Sequence, residues 1–466
     1  MNAPDIAVIG AGSAGFSAAI RASELGARVA LVGDGTIGGT CVNVGCVPSK
    51  TLIRATEALH AARSASRFRG ISGSAAIDDW AQAIAHKDEL VASLRKVKYS
   101  DLLPKYENFT YLAGRARLRP EGVEVNGALL ATDKIVIATG ASPRAPEIPG
   151  IGDVAWLNST QVLDLRALPK SLLVIGGGVI GCELGQMFAR AGVRVTLLCR
   201  THLLPGEEAE SGEALAEYLR AEGIDVSCGV RYESIAARDD GVTLAIRNAD
   251  GSREELSAER VLAATGRQPN TTGLELAQAG VRTRADGAIE VDEHLQTTRP
   301  GTYAAGDVTG RDLFVYMAAY GAKLAVENAL GAGEPTYDAS AMPRVTFTDP
   351  QVASVGLTEA QAQAHGYDVH AVRLELHDLP RALAARDTRG FVKLVAQRES
   401  GTLLGAHIVA PEGGDSIQTA VLAIKHGLTV SDLTETLFPY LTNVEGIKLA
   451  ALGFGRDVAK LSCCAG

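Results

Sequence analysis

The chain has 466 residues, which is too long for one hydrophobic core and predicts about three domains. Apolar residues make up 46% and charged residues 21%, as in folded globular proteins. The net charge of -9 is modest, and the absence of a basic stripe argues against nucleic acid as a partner. No apolar run approaches the ~20 residues of a membrane span, and the first strand begins too early for a signal peptide. We therefore expect a cytoplasmic protein without a membrane partner.

The first predicted unit is a strand, a glycine-rich loop, a helix and a second strand within residues 6–32. Gly10, Gly12 and Gly15 have the spacing that places a dinucleotide pyrophosphate at a helix N-terminus. An acidic residue normally ends the second strand and binds the adenosine ribose. Asp34 lies one position later than usual. The sequence leaves open whether Asp34 makes this contact or the contact is missing.

A cysteine pair, Cys41 and Cys46, follows the first unit. Positions five apart are offset by about 140° on a regular helix, so the two thiols meet only if Gly45 relaxes the turn between them. Pro48 suits the first turn of a following helix. A position at a helix start lowers a thiol pKa and favours the reactive thiolate. The pattern indicates a redox-active pair.

A helical stretch over residues 79–106 and short strands over residues 110–138 are predicted next. A proline-rich linker over residues 143–149 leads to a second strand, loop, helix and strand over residues 172–198. Two such units in one chain predict two bound dinucleotides, FAD and a nicotinamide dinucleotide.

The second unit carries the features that select its nucleotide. Its glycine loop repeats the first spacing: Gly176, Gly178 and Gly181. Arg200 ends the second strand, where an acidic residue would bind the ribose of NADH and an arginine suits the 2′-phosphate of NADPH. Arg200 favours NADPH, with a solvated surface arginine as the alternative. Three further cysteines in helix or strand patterns have no evident partner and are interpreted as structural: Cys182, Cys199 and Cys228.

The C-terminal tail carries another cysteine pair, Cys463 and Cys464. Adjacent cysteines rarely form an unstrained disulfide, because the preferred Cα separation is about 5.5 Å. As free thiolates they can capture a soft cation. A soft cation bound by two thiolates could pass in steps from this pair to the pair at Cys41 and Cys46.

These motifs resemble the pyridine nucleotide–disulfide oxidoreductases, and the resemblance covers essentially the whole chain. It includes IATG at residues 137–140, AATGR at 263–267 and TYAAGD at 302–307. The resemblance implies that Cys46 is the thiolate nearest the flavin and Cys41 the interchange thiol. It also implies that Lys50 lies beside flavin N5, paired with Glu183, and that Asp307 holds the ribityl chain. Further cofactor contacts are assigned to Gly35, Thr40, Ala116, Thr139, Gly140, Gly266 and Val315.

The predicted fold class is α/β, with two Rossmann-like dinucleotide-binding domains, for FAD and NADPH, and a C-terminal α+β dimerisation domain. The FAD-binding domain is expected in two parts, residues 1–148 and 270–340. The NADPH-binding domain is expected between them, at residues 149–269. Residues 341–466 form the dimerisation domain with its Cys-Cys tail.

One position separates the branches of this family. Members that reduce disulfides carry a histidine five residues before a glutamate, and this histidine acts as acid and base across the dimer interface. Here Tyr440 takes that place, five residues before Glu445. A tyrosine, with a pKa of about 10, is a poor proton shuttle at neutral pH but can donate a hydrogen bond to a thiolate.

This tyrosine and the Cys-Cys tail resemble the mercuric reductase branch, in which the tail serves the active site of the other subunit. The resemblance implies a homodimer that reduces Hg(II), delivered as a thiol complex, to Hg(0) with NADPH, and so confers mercury resistance. The expected metal-binding residues are Cys41, Cys46, Cys463 and Cys464. A thioredoxin- or glutathione-type disulfide reductase is the nearest alternative, and a non-catalytic thiol protein that binds metal is an alternative of another class.

Overall fold

The computed structural model describes residues 3–456. Its first part contains β1 (Ile6–Ile9), α1 (Ser13–Glu24), β2 (Val29–Gly33), α2 (Gly39–Val44), α3 (Cys46–Arg63), α4 (Trp80–Lys98), β3 (Phe109–Ala113), β4 (Ala116–Arg119), β5 (Gly122–Val125), β6 (Ala128–Ala131), β7 (Ile135–Ile137) and β8 (Ala141–Pro143). β1, β2 and β7 are buried along their whole length, because α1 packs on one face of this parallel sheet and the small sheet of β4, β5 and β6 packs on the other. The helical stretch expected to reach residue 106 ends as an α-helix at Lys98 and continues as a 3-10 turn over Ser100–Lys105.

The second nucleotide unit follows. It contains α5 (Ser159–Val162), β9 (Ser171–Ile175), α6 (Val179–Arg190), β10 (Arg194–Cys199), α7 (Ala209–Ala221), β11 (Asp225–Cys228), β12 (Arg231–Arg238), β13 (Gly241–Arg247), β14 (Arg253–Ala258), β15 (Arg260–Ala263) and β16 (Arg267–Pro269). Its parallel sheet has the order β11-β10-β9-β15, and β12, β13 and β14 form an antiparallel sheet beside it. The short strand β16 pairs with β8, which joins the two nucleotide units near their glycine loops.

The chain then returns to the first sheet with β17 (Thr302–Ala304) and α8 (Val315–Leu330). β17 pairs in parallel with β7, so the sheet has the order β17-β7-β1-β2-β3. Ala14, Ala18, Ala318 and Ala322 are buried in the core that α1 and α8 share. These small side chains let the two helices approach closely above the sheet.

The last part is an antiparallel sheet with helices on it. It contains β18 (Arg344–Thr346), β19 (Gln351–Gly356), α9 (Glu359–Ala364), β20 (Val369–Glu375), α10 (Pro380–Ala385), β21 (Phe391–Gln397), β22 (Leu403–Ala410), α11 (Gly413–Lys425), α12 (Val430–Glu435) and α13 (Glu445–Leu452). The strand order is β18-β19-β22-β21-β20. The architecture confirms the predicted fold class: two Rossmann-like units and a C-terminal α+β domain. None of the helices between residues 3 and 456 has the length and apolar character needed to cross a membrane.

Candidate active site

Both glycine loops open onto one cavity of about 1620 Å³. Pockets for one small ligand usually measure roughly 300–1,000 Å³, so this cavity has room for more than one nucleotide. It brings together most of the site residues predicted from the sequence: Gly10, Gly12, Asp34, Gly35, Thr40, Cys41, Cys46, Lys50, Ala116, Thr139, Gly140, Gly176, Gly178, Glu183, Arg200, Gly266, Asp307 and Val315.

The third glycine of each loop lies behind the cavity wall. A Cβ atom at Gly15 would approach the carbonyl oxygen of Gly10 to 1.7 Å, and one at Gly181 would approach that of Gly176 to 1.9 Å. Only glycine allows each helix to begin so close to its strand, which aims the N-terminal N–H groups into the cavity. Both loops therefore have the form required to hold a dinucleotide pyrophosphate.

The predicted break between Cys41 and Cys46 is present. Cys41 lies in α2, and Gly45 has φ −128° and ψ −108°, which ends that helix before α3 begins at Cys46. Pro48 is the third residue of α3 and therefore lies in its first turn. The turn at Gly45 brings the two thiols close enough for each to shift the pKa of the other.

The two thiols are electrostatically unequal. The hydrogen bond from Cys41, together with the ammonium of Lys50, lowers the pKa of Cys46 to about 7 against the opposing effect of burial. The same hydrogen bond and burial raise the pKa of Cys41. A thiolate is the reactive form of cysteine, so Cys46 is charged to a large extent at neutral pH while Cys41 holds the proton.

Lys50 is held by a carboxylate from the second nucleotide unit. Its Nζ lies 2.6 Å from Oε2 of Glu183, whose side chain is only 3% exposed. The other oxygen of Glu183 accepts a hydrogen bond of 2.8 Å from the backbone N–H of Phe347. The ring centroid of Phe347 lies 4.8 Å from Nζ of Lys50. Three separate parts of the chain thus fix one ammonium beside Cys46.

Two acidic residues of the cavity wall pair with arginines. Asp34, at the end of β2, accepts a hydrogen bond of 2.7 Å from Nε of Arg115, and both side chains are largely exposed. Asp307 lies 3.6 Å from Nε of Arg267. Burial raises the pKa of Asp307, and the charge of Arg267 opposes that effect.

The expectation that Cys199 and Cys228 have no partner is wrong. Their Sγ atoms lie 3.1 Å apart, because β10 and β11 pair with these two residues in register. Cys182 is fully buried, and burial raises the pKa of its thiol, which suits the structural role predicted for it.

Tyr440 and Glu445 lie outside the residues that line the cavity of this subunit. Tyr440 is about half exposed. Glu445 begins α13, and its Oε2 accepts a hydrogen bond of 3.1 Å from the backbone N–H of Leu441. The predicted site residues Cys463 and Cys464 lie outside the described residues.

Two residues of the site carry no assigned role in the sequence analysis. Arg267 falls at the end of the AATGR motif, so the motif itself could have identified it. Phe347 follows β18 and has no local pattern that marks it. Its contacts with Lys50 and Glu183 exist only because the C-terminal sheet packs against α3 and α6.

Comparison with known proteins agrees with this geometry. The family model described as pyridine nucleotide-disulphide oxidoreductase matches residues 4–332, and the model of its dimerisation domain matches residues 342–451. Among solved structures, the HOCl-induced flavoprotein disulfide reductase RclA of Escherichia coli superimposes with a TM-score of 0.85 at 31% identity. That match covers 96% of this chain and 99% of the other.

Curated mercuric reductases match nearly the whole chain, which confirms the predicted resemblance. The enzyme of Lysinibacillus sphaericus is 47% identical over 464 residues, or 99% of this chain and 84% of the relative. The enzyme of Streptomyces lividans is 46% identical over 468 residues, or 99% of this chain and 98% of the relative. On these matches and the geometry above, the chain belongs to the pyridine nucleotide-disulphide oxidoreductase family, and it is an oxidoreductase whose cofactors are FAD and NADPH.

Proposed function

We propose that this protein reduces Hg(II) to Hg(0) with electrons from NADPH and thereby confers resistance to mercury. The observation that carries the proposal is the 47% identity, over 99% of the chain, to a curated mercuric reductase. The thiolate–thiol pair at Cys41 and Cys46 supports it, because soft thiolates are the preferred ligands of soft metal ions. A reducing compartment would keep such thiols available, so we place the protein in the cytoplasm.

The chain offers distinct sites for its two cofactors. In this proposal the loop with Gly10 and Gly12 holds the pyrophosphate of FAD, and Lys50 and Asp307 contact its flavin and ribityl parts. The second glycine loop holds NADPH, with Arg200 on the 2′-phosphate. Bound FAD supplies the path by which two electrons from NADPH reach the cysteine side of the cavity.

The cysteines bind the substrate as two sulfur ligands. Cys46 attacks first, because its pKa of about 7 leaves a large thiolate fraction at neutral pH. Cys41 then joins the metal as a thiolate, since the thiolate is the form that binds metal. Each new bond from sulfur to mercury displaces one thiolate of the incoming complex, and a departing thiolate takes the proton of Cys41. The fixed ammonium of Lys50, held by Glu183, keeps a positive charge near the negative sulfurs. Two electrons convert the bound Hg(II) to Hg(0), which carries no charge and leaves the thiolates.

Residues from a second copy of the chain complete the site in this proposal. The match to a dimerisation domain over residues 342–451 supports a homodimer. Tyr440 is about half exposed on the surface of its own subunit, which suits a residue that serves another subunit. Cys463 and Cys464 of the second copy would collect Hg(II) from small thiols and pass it to Cys41 and Cys46. Tyr440 would donate a hydrogen bond to a thiolate during this transfer, with Glu445 holding the adjacent backbone.

Steady-state oxidation of NADPH provides the test. The purified enzyme receives HgCl2 with excess small thiol, and parallel reactions contain glutathione disulfide or thioredoxin. We expect rapid oxidation only with mercury, and loss of most of it in Cys46→Ser. The double variant Cys463→Ala/Cys464→Ala should lose activity at high thiol but retain its bound flavin, which serves as the control for folding.

A disulfide reductase is the second candidate, because the solved structure of RclA, 31% identical, carries that description. Tyr440 counts against it, since a tyrosine cannot protonate a leaving thiolate as readily as a histidine. Rapid turnover of either disulfide without turnover of mercury would refute the mercury proposal. A colourless protein that binds mercury without oxidising NADPH would indicate the non-catalytic alternative.

A further inference from the structure

A second pair of thiols lies beside the expected NADPH site. Cys199 ends β10 and Cys228 ends β11, and the two strands run parallel with these residues directly paired. Their Sγ atoms are 3.1 Å apart. Cys199 also forms part of the cavity wall, immediately before Arg200.

The backbone geometry suits a disulfide between these strands. Neighbouring strands of a sheet lie about 4.8 Å apart, which falls within the roughly 4.4–6.8 Å that disulfides span between Cα atoms. Paired residues of parallel strands point to the same face, as the short distance between the two Sγ atoms confirms. Closing the bond to about 2.05 Å requires the two sulfurs to approach by only about 1 Å.

The two thiols are also chemically unequal, like the pair at Cys41 and Cys46. A hydrogen bond from Cys199 lowers the pKa of Cys228 to about 6, and the charge of Arg220 contributes in the same direction. The hydrogen bond and burial raise the pKa of Cys199. Cys228, which carries the more acidic thiol, is partly exposed, whereas Cys199 is buried.

We propose that Cys199 and Cys228 form a second redox-active dithiol, which low-molecular-weight disulfides oxidise to an internal disulfide that weakens NADPH binding. The Cys228 thiolate attacks a disulfide RSSR, which forms a mixed disulfide and releases one thiolate. Cys199 then gives up its proton and attacks the Cys228 sulfur, which closes the internal bond and releases the second small thiol. The protein loses two electrons, and the reagent gains them as two small thiols or thiolates.

The effect on NADPH follows from the packing of Cys199. A Cβ atom placed on Gly177, in the second glycine loop, would lie 2.7 Å from Cβ of Cys199, so this side chain packs directly on the loop. The carbonyl oxygen of Gly177 accepts a hydrogen bond of 2.8 Å from the N–H of Leu204, which ties the loop to the segment after Arg200. Drawing Cys199 towards β11 moves it away from the loop and shifts Arg200 with it.

The test treats the holoenzyme with glutathione disulfide, blocks the remaining thiols with N-ethylmaleimide and maps the peptides by mass spectrometry. We expect a cross-linked peptide that joins Cys199 to Cys228, with Cys182 left as a blocked or unreacted thiol. Titration with NADP⁺ should give a dissociation constant raised at least threefold in the cross-linked enzyme. Dithiothreitol should restore the original value.

Two matched variants remove the Cys228 thiol. Cys228→Ser keeps a polar group at this position, and Cys228→Ala replaces it as the control if the serine variant folds poorly. Neither should change its NADP⁺ affinity on treatment with glutathione disulfide. Absence of the cross-link under conditions that oxidise Cys41 and Cys46 would overturn the proposal. An unchanged dissociation constant in fully cross-linked enzyme would overturn it as well. The outcome is independent of mercury reduction, because neither readout involves the metal.

Discussion

The acidity of Cys46 should depend mainly on one hydrogen bond. The thiol of Cys41 is the largest cause of its lowered pKa, and the effects of burial and of Lys50 oppose each other. Replacement of Cys41 by alanine removes the hydrogen bond and should return the pKa of Cys46 from about 7 towards its ordinary value of 9.0. A change of about 2 units corresponds to roughly 3 kcal/mol in the relative stability of the thiolate.

The consequence at neutral pH is large. At pH 7 a thiol with a pKa of about 7 is half ionised, whereas one with a pKa of 9 is about 1% ionised. Alkylation of Cys46 by iodoacetamide in the reduced enzyme should therefore slow by about 50-fold in Cys41→Ala. The measurement is the rate of alkylation against pH, with the modified peptide identified by mass spectrometry.

Cys41→Ser is the matched control, because its hydroxyl can still donate a hydrogen bond. We expect an alkylation profile for Cys46 between those of the wild type and Cys41→Ala. A profile for Cys41→Ala that still has its midpoint near pH 7 would refute the reasoning and would assign the acidity to the Lys50 ammonium.

Three further changes test other parts of the site. Gly181→Ala places a methyl group 1.9 Å from the carbonyl oxygen of Gly176 and should abolish NADP⁺ binding in a titration. Gly185→Ala is the control and should retain NADP⁺ binding, because its methyl group would lie 3.8 Å from the nearest atom, on Val195. Arg200→Ala should raise the KM for NADPH about tenfold or more but not that for NADH, since a charged hydrogen bond contributes roughly 1.5–3 kcal/mol. Arg194→Ala, at the start of the strand that Arg200 follows, should change neither KM. Glu183→Gln should lower the free energy of unfolding, measured in urea, by roughly 1–3 kcal/mol, because the ammonium of Lys50 then lacks its buried carboxylate partner. An unchanged free energy of unfolding would contradict this prediction.

The features predicted correctly from the sequence are those whose chemistry lies within a few neighbouring residues. Gly10, Gly12 and Gly15 determine a turn, a phosphate approach and a helix start within six positions. The break at Gly45 follows from the geometry of a helix and the spacing of two cysteines. Such motifs predict the two nucleotide units and the break that brings Cys41 and Cys46 together without knowledge of how the domains pack.

The pairing of Cys199 with Cys228 could not be predicted from a local motif of this kind. It depends on the register of β10 against β11, and a slip of one residue would direct the two side chains to opposite faces of the sheet. The sequence shows only that each cysteine lies in a helix or strand pattern. The prediction that Cys199 and Cys228 have no partner was therefore wrong.

The ammonium of Lys50 helps to stabilise the Cys46 thiolate, and three parts of the chain hold this ammonium in place. Lys50 extends from the helix that Cys46 begins, but its carboxylate partner, Glu183, lies in the second nucleotide unit and is buried there. The backbone of Phe347, from the C-terminal domain, holds the second oxygen of that carboxylate. A buried carboxylate is tolerated only when both of its oxygens are satisfied. The two nucleotide units and the C-terminal domain together fix Lys50, so the smaller share of the Cys46 acidity that comes from its ammonium depends on how all three parts pack.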